Sequence, residues 1–208
     1  MTSPGPLKCP HVARMVPDLR ARLRLYAGPT DDPRAPEGAA QAAVSVILRS
    51  GPEPELLLVK RATCEEDPWS GHMALPGGRR DHDDPSLLHT AVRETAEETA
   101  LSLDPGRESL GMLPVVEPLG SRIPRVQIAP FVFSVPRSVG ARVNSPEIAR
   151  IHWVPLSRFR DPEARGRLEL VFEDGVRKRF PAFEIQGEKV WGLTYRILTD
   201  LLGDAERR

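Results

Sequence analysis

The stretch from Leu75 to Leu101, LPGGRRDHDDPSLLHTAVRETAEETAL, constrains this chain more than any other. Its second half has the spacing of an amphipathic helix. Pro85 opens that helix, Asp83 or Asp84 is the expected N-cap, and Thr99 lies at its end. Leu88, Ala91, Val92, Thr95, Ala96 and Thr99 recur at i, i+3, i+4 and form the face that docks. Glu94, Glu97 and Glu98 share another face, Glu98 about 40° to one side of Glu94 and Glu97 about 60° to the other. Like charges so placed weaken a helix by a few tenths of a kcal/mol per pair. Two readings follow: a solvated acidic face, or a site for a hard cation. Mg²⁺ or Mn²⁺ prefers oxygen ligands of this kind.

The residues before the helix favour the cation. Pro76-Gly77-Gly78 brings backbone up to it with no side chains between. Arg79, Arg80, Asp81, Asp83 and Asp84 then surround the helix start, and Arg93 is placed to pair with Asp84 across the loop.

Together these residues resemble the Nudix box of the Nudix hydrolase superfamily. Arg93-Glu94-Thr95-Ala96-Glu97-Glu98 supplies its metal-binding half, Gly78 its first glycine and Leu101 its last apolar position. Three positions depart from the pattern: Asp84 replaces Glu, Thr95 an apolar residue, and Ala100 the second glycine. One residue is also inserted between Gly78 and Arg93. The resemblance implies an α/β/α sandwich with a mixed sheet and the box as loop-helix-loop. It implies that Glu94, Glu97, Glu98 and the carbonyl of Gly77 bind Mg²⁺ or Mn²⁺, and that Asp84 and Arg93 form a structural pair. The implied reaction is attack of water on a diphosphate linkage in a nucleoside diphosphate derivative. Glu94 and Glu98 are candidates for the general base, with Arg93 beside them in the catalytic set. Glu147, in NSPEIAR, is the candidate outside the box; Arg61 and Arg79 are candidate substrate contacts.

Substrate choice lies outside the box. Leu57–Ala62, Gly71–Gly78 and Trp191-Gly192-Leu193-Thr194 resemble the coenzyme A pyrophosphatase-like subgroup, as does the longer GGRRDHDD loop. Coenzyme A or an acyl-CoA is therefore the preferred substrate. The loop Thr63–Trp69 carries acids and lacks the subgroup's Arg, which leaves ADP-ribose, NADH and related derivatives open. A different class, a non-catalytic nucleotide-binding regulatory domain, is disfavoured because all three box carboxylates are present.

The rest of the chain sets the frame. Its 208 residues suit one domain with an added arm. Residues 1–39 read as an N-terminal helix (Val12–Tyr26) and a Pro/Gly-rich linker, AGPTDDPRAPEGAA; residues 40–208 read as the domain. The arm suits a dimer contact or a lid, and a homodimer is a possible assembly. Twenty-nine basic residues offset 29 acidic ones, so no net field favours nucleic acid. Neither a membrane span nor a signal peptide is evident, and Cys9 and Cys64 make no disulfide framework, so a cytoplasmic setting is expected. Strands are expected at 41–50, 56–62, 72–75, 110–116, 126–135 and 151–156, a hairpin at 168–180, and a helix at 190–202. Trp69 reads as a loop anchor or a stacking platform. His72, His82 and His89 fit no zinc spacing, Arg122 and Arg125 suit phosphate or water, and Cys64 has no base assigned to it.

Overall fold

The structure, a computed structural model, describes residues 19–64, 70–118, 125–172 and 175–204. Its centre is built by strands apolar on both faces, as buried strands must be. In β1 (Ala40–Arg49), Ala43 and Ile47 face one core while Val46 and Leu48 face another. β2 (Glu55–Arg61) divides the same way, Leu57 against Leu56 and Leu58.

β1 and β2 pair only next to the turn that joins them, Leu48 with Leu56 and Arg49 with Glu55. Beyond that point they diverge. β3 (Met73–Ala74) pairs with β2, and β4 (Gly77–Arg79) pairs with β1, so the Gly-Gly segment is carried into the fork. β5 (Ser109–Met112) borders β6 (Val126–Val135), which runs parallel to β1 through ten residue pairs. β7 (Ile148–Pro155) lies antiparallel along β2. One parallel pairing among antiparallel ones makes the seven-stranded sheet mixed.

Two short helical turns, α1 (Leu19–Arg22) and α3 (Pro105–Glu108), flank the larger elements. α2 (Leu87–Thr99) covers one face, where Leu87 and Ala91 join Ala43, Ile47, Phe131 and Phe133. The other face is covered by a second, antiparallel sheet and a helix. The sheet holds β8 (Arg165–Val171), β9 (Arg177–Ile185) and β10 (Glu188–Trp191), and the helix is α4 (Gly192–Leu202). Phe183, Tyr195 and Leu198 pack there against Val46, Leu56 and Phe159. This is the expected α/β/α sandwich.

Several local expectations are corrected. Residues 77–79 pair with β1 as a strand rather than forming an open loop. Val190 and Trp191 end β10, and the helix starts only at Gly192. β5 stops at Met112, because Pro114 has no N–H to continue the ladder; Val116 makes one further bridge, to Ile128. The strand read as 151–156 starts at Ile148. The hairpin at 168–180 is part of β8 and β9, and its turn residues Glu173 and Asp174 fall outside the described residues.

The arm is seated on the domain from Leu19 onward, while Cys9, Val12 and Met15 fall outside the described residues. Arg24 exchanges backbone hydrogen bonds with Met112 at 2.9 and 2.8 Å, and Tyr26 sets its ring edge-on to Phe131, 5.0 Å between centroids. The Pro/Gly-rich stretch read as a linker docks too, through Asp32, described below. Among the described residues no helix is long and apolar enough to cross a membrane.

Candidate active site

The site begins with one carboxylate and one guanidinium. Arg93 Nε and Nη2 donate to Asp84 Oδ1 and Oδ2 at 3.1 and 2.9 Å, a bidentate grip. Asp84 also accepts from the Asp81 N–H (3.0 Å) and the Thr90 hydroxyl (2.9 Å), and lies 2.9 Å from His89 Nδ1. Arg93, chief among these partners, holds the buried Asp84 carboxyl well below the usual carboxylate range, although burial opposes it. Asp84 is therefore a loop hub and not the helix cap. Ser86 takes that role, its hydroxyl accepting from the His89 N–H at 3.1 Å. Asp32, from the stretch read as a linker, accepts from the Leu87 N–H at 3.1 Å and from the Tyr26 hydroxyl at 2.6 Å. It also pairs with Arg80 at 3.2 Å. The helix N-terminus thus has two caps, one contributed from 55 residues away.

The two glycines bring strand and helix together. Gly77 has φ +149°, and a Cβ there would stand 2.3 Å from the Ala43 carbonyl oxygen. At Gly78 a Cβ would stand 2.5 Å from the Glu94 carboxylate. At Gly77 both the positive φ and the approach to backbone require glycine, whereas a Cβ at Gly78 would displace the end of the Glu94 side chain. The Gly77 N–H donates to Glu98 Oε2 at 3.1 Å.

The three glutamates differ in environment. Glu98 is only 5% exposed. Burial pushes its carboxyl up to about 8, opposed by the Gly77 N–H and Arg61 and reinforced by Glu94 and Glu147. Glu94 is half-buried and shifted upward, again chiefly by burial; its neighbour Arg93 pulls the other way. Glu97 is exposed and held by Arg93 Nη1 at 3.0 Å. Arg93 therefore touches Asp84, Glu94 and Glu97. Arg79 joins it through its carbonyl, at 3.3 Å from Arg93 Nη2, while its own side chain is exposed.

The residues from outside the box also converge. Arg61 and Glu147 approach to 3.8 Å, and the Glu147 charge acts on both Glu94 and Glu98. The Ala62 N–H holds the Glu147 carbonyl at 2.7 Å. His72 meets Trp191 edge-on at 4.9 Å, and Lys60 pairs with Glu188 at 2.5 Å. Trp69 and Arg122 fall outside the described residues.

Three features escaped sequence reasoning. Thr95, at a usually apolar box position, donates to Ser45 Oγ on β1 at 2.8 Å, so the departure comes with its own buried partner. Ala100 adopts the left-handed conformation, φ 53°, that glycine would adopt more easily, and the helix still ends there. Asn144 donates its side-chain amide to the carbonyls of Ala96 and Glu97 at 3.2 and 3.1 Å. Asn144 was findable in principle, since Asn is a common capping residue, but no local pattern ties it to a helix 45 residues earlier.

The donor set expected from the sequence, the carboxylates of Glu94, Glu97 and Glu98 with the Gly77 carbonyl, is all oxygen, as a hard divalent cation prefers, and Glu98 is buried with the Gly77 N–H as its hydrogen-bond donor. Asp81, His82 and Asp83 are the acidic and histidine groups that draw within 4.8 Å of one another among the described residues. All three are exposed on the loop, where His82 binds its neighbours.

The match of a family model described as "NUDIX domain" to residues 39–173 is decisive. The chain belongs to the Nudix family. Among curated relatives, the uncharacterized Nudix hydrolase NudL of Yersinia pestis is 31% identical over 166 residues, covering 77% of each chain. The uncharacterized protein C14C4.10c of Schizosaccharomyces pombe is 31% identical over 186 residues, covering 80% of this chain; the match spans only 56% of the yeast protein. A MutT/nudix family protein from Enterococcus faecalis shares the fold at 15% identity and a TM-score of 0.56, over 85% of this chain and 65% of that one. The Asp84–Arg93 hub, the Gly77-Gly78 approach and the three glutamates lie inside the matched residues of this Nudix hydrolase.

Proposed function

We propose that this Nudix chain hydrolyses the diphosphate linkage of coenzyme A or an acyl-CoA. The observation that carries the substrate is a convergence. Of the three sequence pieces similar to the coenzyme A pyrophosphatase-like subgroup, Leu57–Ala62 and Gly71–Gly78 are close in the chain and Trp191–Thr194 lies more than a hundred residues later, and they meet in space. β2 pairs with β3, the Arg61 N–H donates to the His72 carbonyl at 2.9 Å, and His72 packs on Trp191. This patch adjoins the box through Arg61 and Glu147.

In this reading Glu94, Glu97 and Glu98, with the carbonyl of Gly77, hold Mg²⁺ or Mn²⁺. When bound, such a cation lowers the pKa of a coordinated water and offsets negative charge on the leaving phosphate. Glu94 or Glu98 takes the proton of the attacking water; Glu147 is the outside candidate. The water oxygen bonds to one phosphorus while the bridging P–O bond breaks. Coenzyme A then yields 3′,5′-ADP and phosphopantetheine. The Asp84–Arg93 pair fixes the loop, and Arg61 and Arg79 offer charge to the substrate phosphates.

The acids at 65–67 favour a second reading. An acidic loop is a poor host for a 3′-phosphate, and ADP-ribose and NADH carry none. We place the enzyme in the cytoplasm, with neither nucleic acid nor membrane as partner and a homodimer as the assembly to check by light scattering.

The test is to incubate the purified chain with Mg²⁺ and, separately, coenzyme A, ADP-ribose, NADH, a diadenosine polyphosphate and nucleoside triphosphates. Products are read by mass spectrometry. Release of 3′,5′-ADP and phosphopantetheine is the expected result. AMP from ADP-ribose or NADH, with coenzyme A untouched, would overturn the substrate in favour of the second reading. Binding without cleavage of any substrate would overturn the hydrolase reading itself.

A further inference from the structure

The last four carbonyls of a helix have no partner within it and need donors from elsewhere. In α2 these include Glu97, Glu98 and Thr99, in the turn that carries two of the box carboxylates. One loop serves all three and also reaches Ala96, whose carbonyl accepts from the Ala100 N–H at 3.0 Å. Arg142 N–H donates to Thr99 at 2.9 Å, Asn144 N–H to Glu98 at 3.1 Å, and the Asn144 side-chain amide to Ala96 and Glu97 at 3.2 and 3.1 Å. Asn144 supplies three of these four contacts. Three residues later the same loop delivers Glu147 beside Arg61, before Ile148 enters β7.

We propose that Asn144 is a positioning residue of the hydrolase, which registers the 142–147 loop against the box helix so that Glu147 and Arg61 stand over Glu94 and Glu98. The inference rests on the hydrolase reading above. The chemistry selects the amide. Its NH₂ offers two donors to two adjacent carbonyls at the negative end of the helix, where a carboxylate of the same shape would be repelled. Asn144 is exposed and hydrogen-bonds the helix end, so its role is placement more than stability.

Asn144→Asp and Asn144→Ala separate shape from donation. Both variants should keep a wild-type circular dichroism spectrum and lose kcat by about tenfold or more, with KM within about threefold. Asn144→Asp should be no better than Asn144→Ala. In parallel, hydrogen exchange should quicken at the Arg142 and Asn144 amides in both variants while the β1 amides stay protected. Wild-type kcat within about twofold in both variants would overturn the proposal. So would unchanged exchange at 142–144, and that readout applies even if no diphosphate is cleaved. Failure of the wild-type chain to cleave any substrate would instead overturn the hydrolase reading, which keeps the two failures distinct.

Discussion

The two ends of the box helix are held by different chemistry. At the N-terminus the partners are charged and largely buried: Asp32 on the Leu87 N–H, and Asp84 gripped by Arg93. At the C-terminus they are neutral: the exposed Asn144 amide, two N–H groups of an exposed loop, and a half-buried left-handed alanine. A buried pair is costly to break because it leaves an uncompensated charge, whereas an exposed amide is replaced by water at small cost. This contrast assigns stability to the N-terminal end and, in our proposal, the geometry of the candidate site to the C-terminal end.

Asp84→Asn is the strongest challenge to that division. It leaves Arg93 facing a neutral amide, and urea unfolding at pH 7 should show a loss of roughly 3 kcal/mol. The pH dependence follows the same residue. Its folded pKa is depressed, so its stabilisation is present above pH ~4 and is lost as pH falls below that. Wild type should weaken more steeply than Asp84→Asn between about pH 4 and 2. Parallel slopes would remove Asp84 from its role as hub.

Asp32→Ala comes next. It removes a cap and the partner of Tyr26 and Arg80, and should lower stability by about 1–2 kcal/mol. An unchanged melting temperature would mean that the docked stretch before β1 is dispensable to the helix. The smallest effect is expected at the opposite end. Ala100→Gly relieves a left-handed alanine and should raise stability by up to about 1 kcal/mol, with turnover little changed. A loss there would show that this end is not under strain.

How much was legible follows from range. The box could be read because its chemistry is local: Arg93, Glu94, Glu97 and Glu98 occupy two turns, and Gly77-Gly78 precede them closely. The sandwich could be read because β1, β2 and β6 are predominantly apolar runs. What stayed hidden is non-local. Asp32 sits in a Pro/Gly/Asp-rich stretch whose composition reads as linker, and only the fold brings it to Leu87. Asn144 is one Asn in a polar loop until that loop meets the helix end. Ser45 appears as a polar defect in an apolar strand until Thr95 is seen to donate to it. At Val190-Trp191 a short apolar run fits strand or helix equally, and pairing with β9 decides for strand.

The most direct test of the central claim is Mg²⁺-dependent turnover of coenzyme A by Glu98→Gln beside wild type. Gln keeps the shape of the buried side chain and removes its charge. An intact fold by circular dichroism and a fall in turnover of about a hundredfold or more are expected. Turnover close to wild type, with the same Mg²⁺ dependence, would contradict the claim that the box carboxylates do the chemistry.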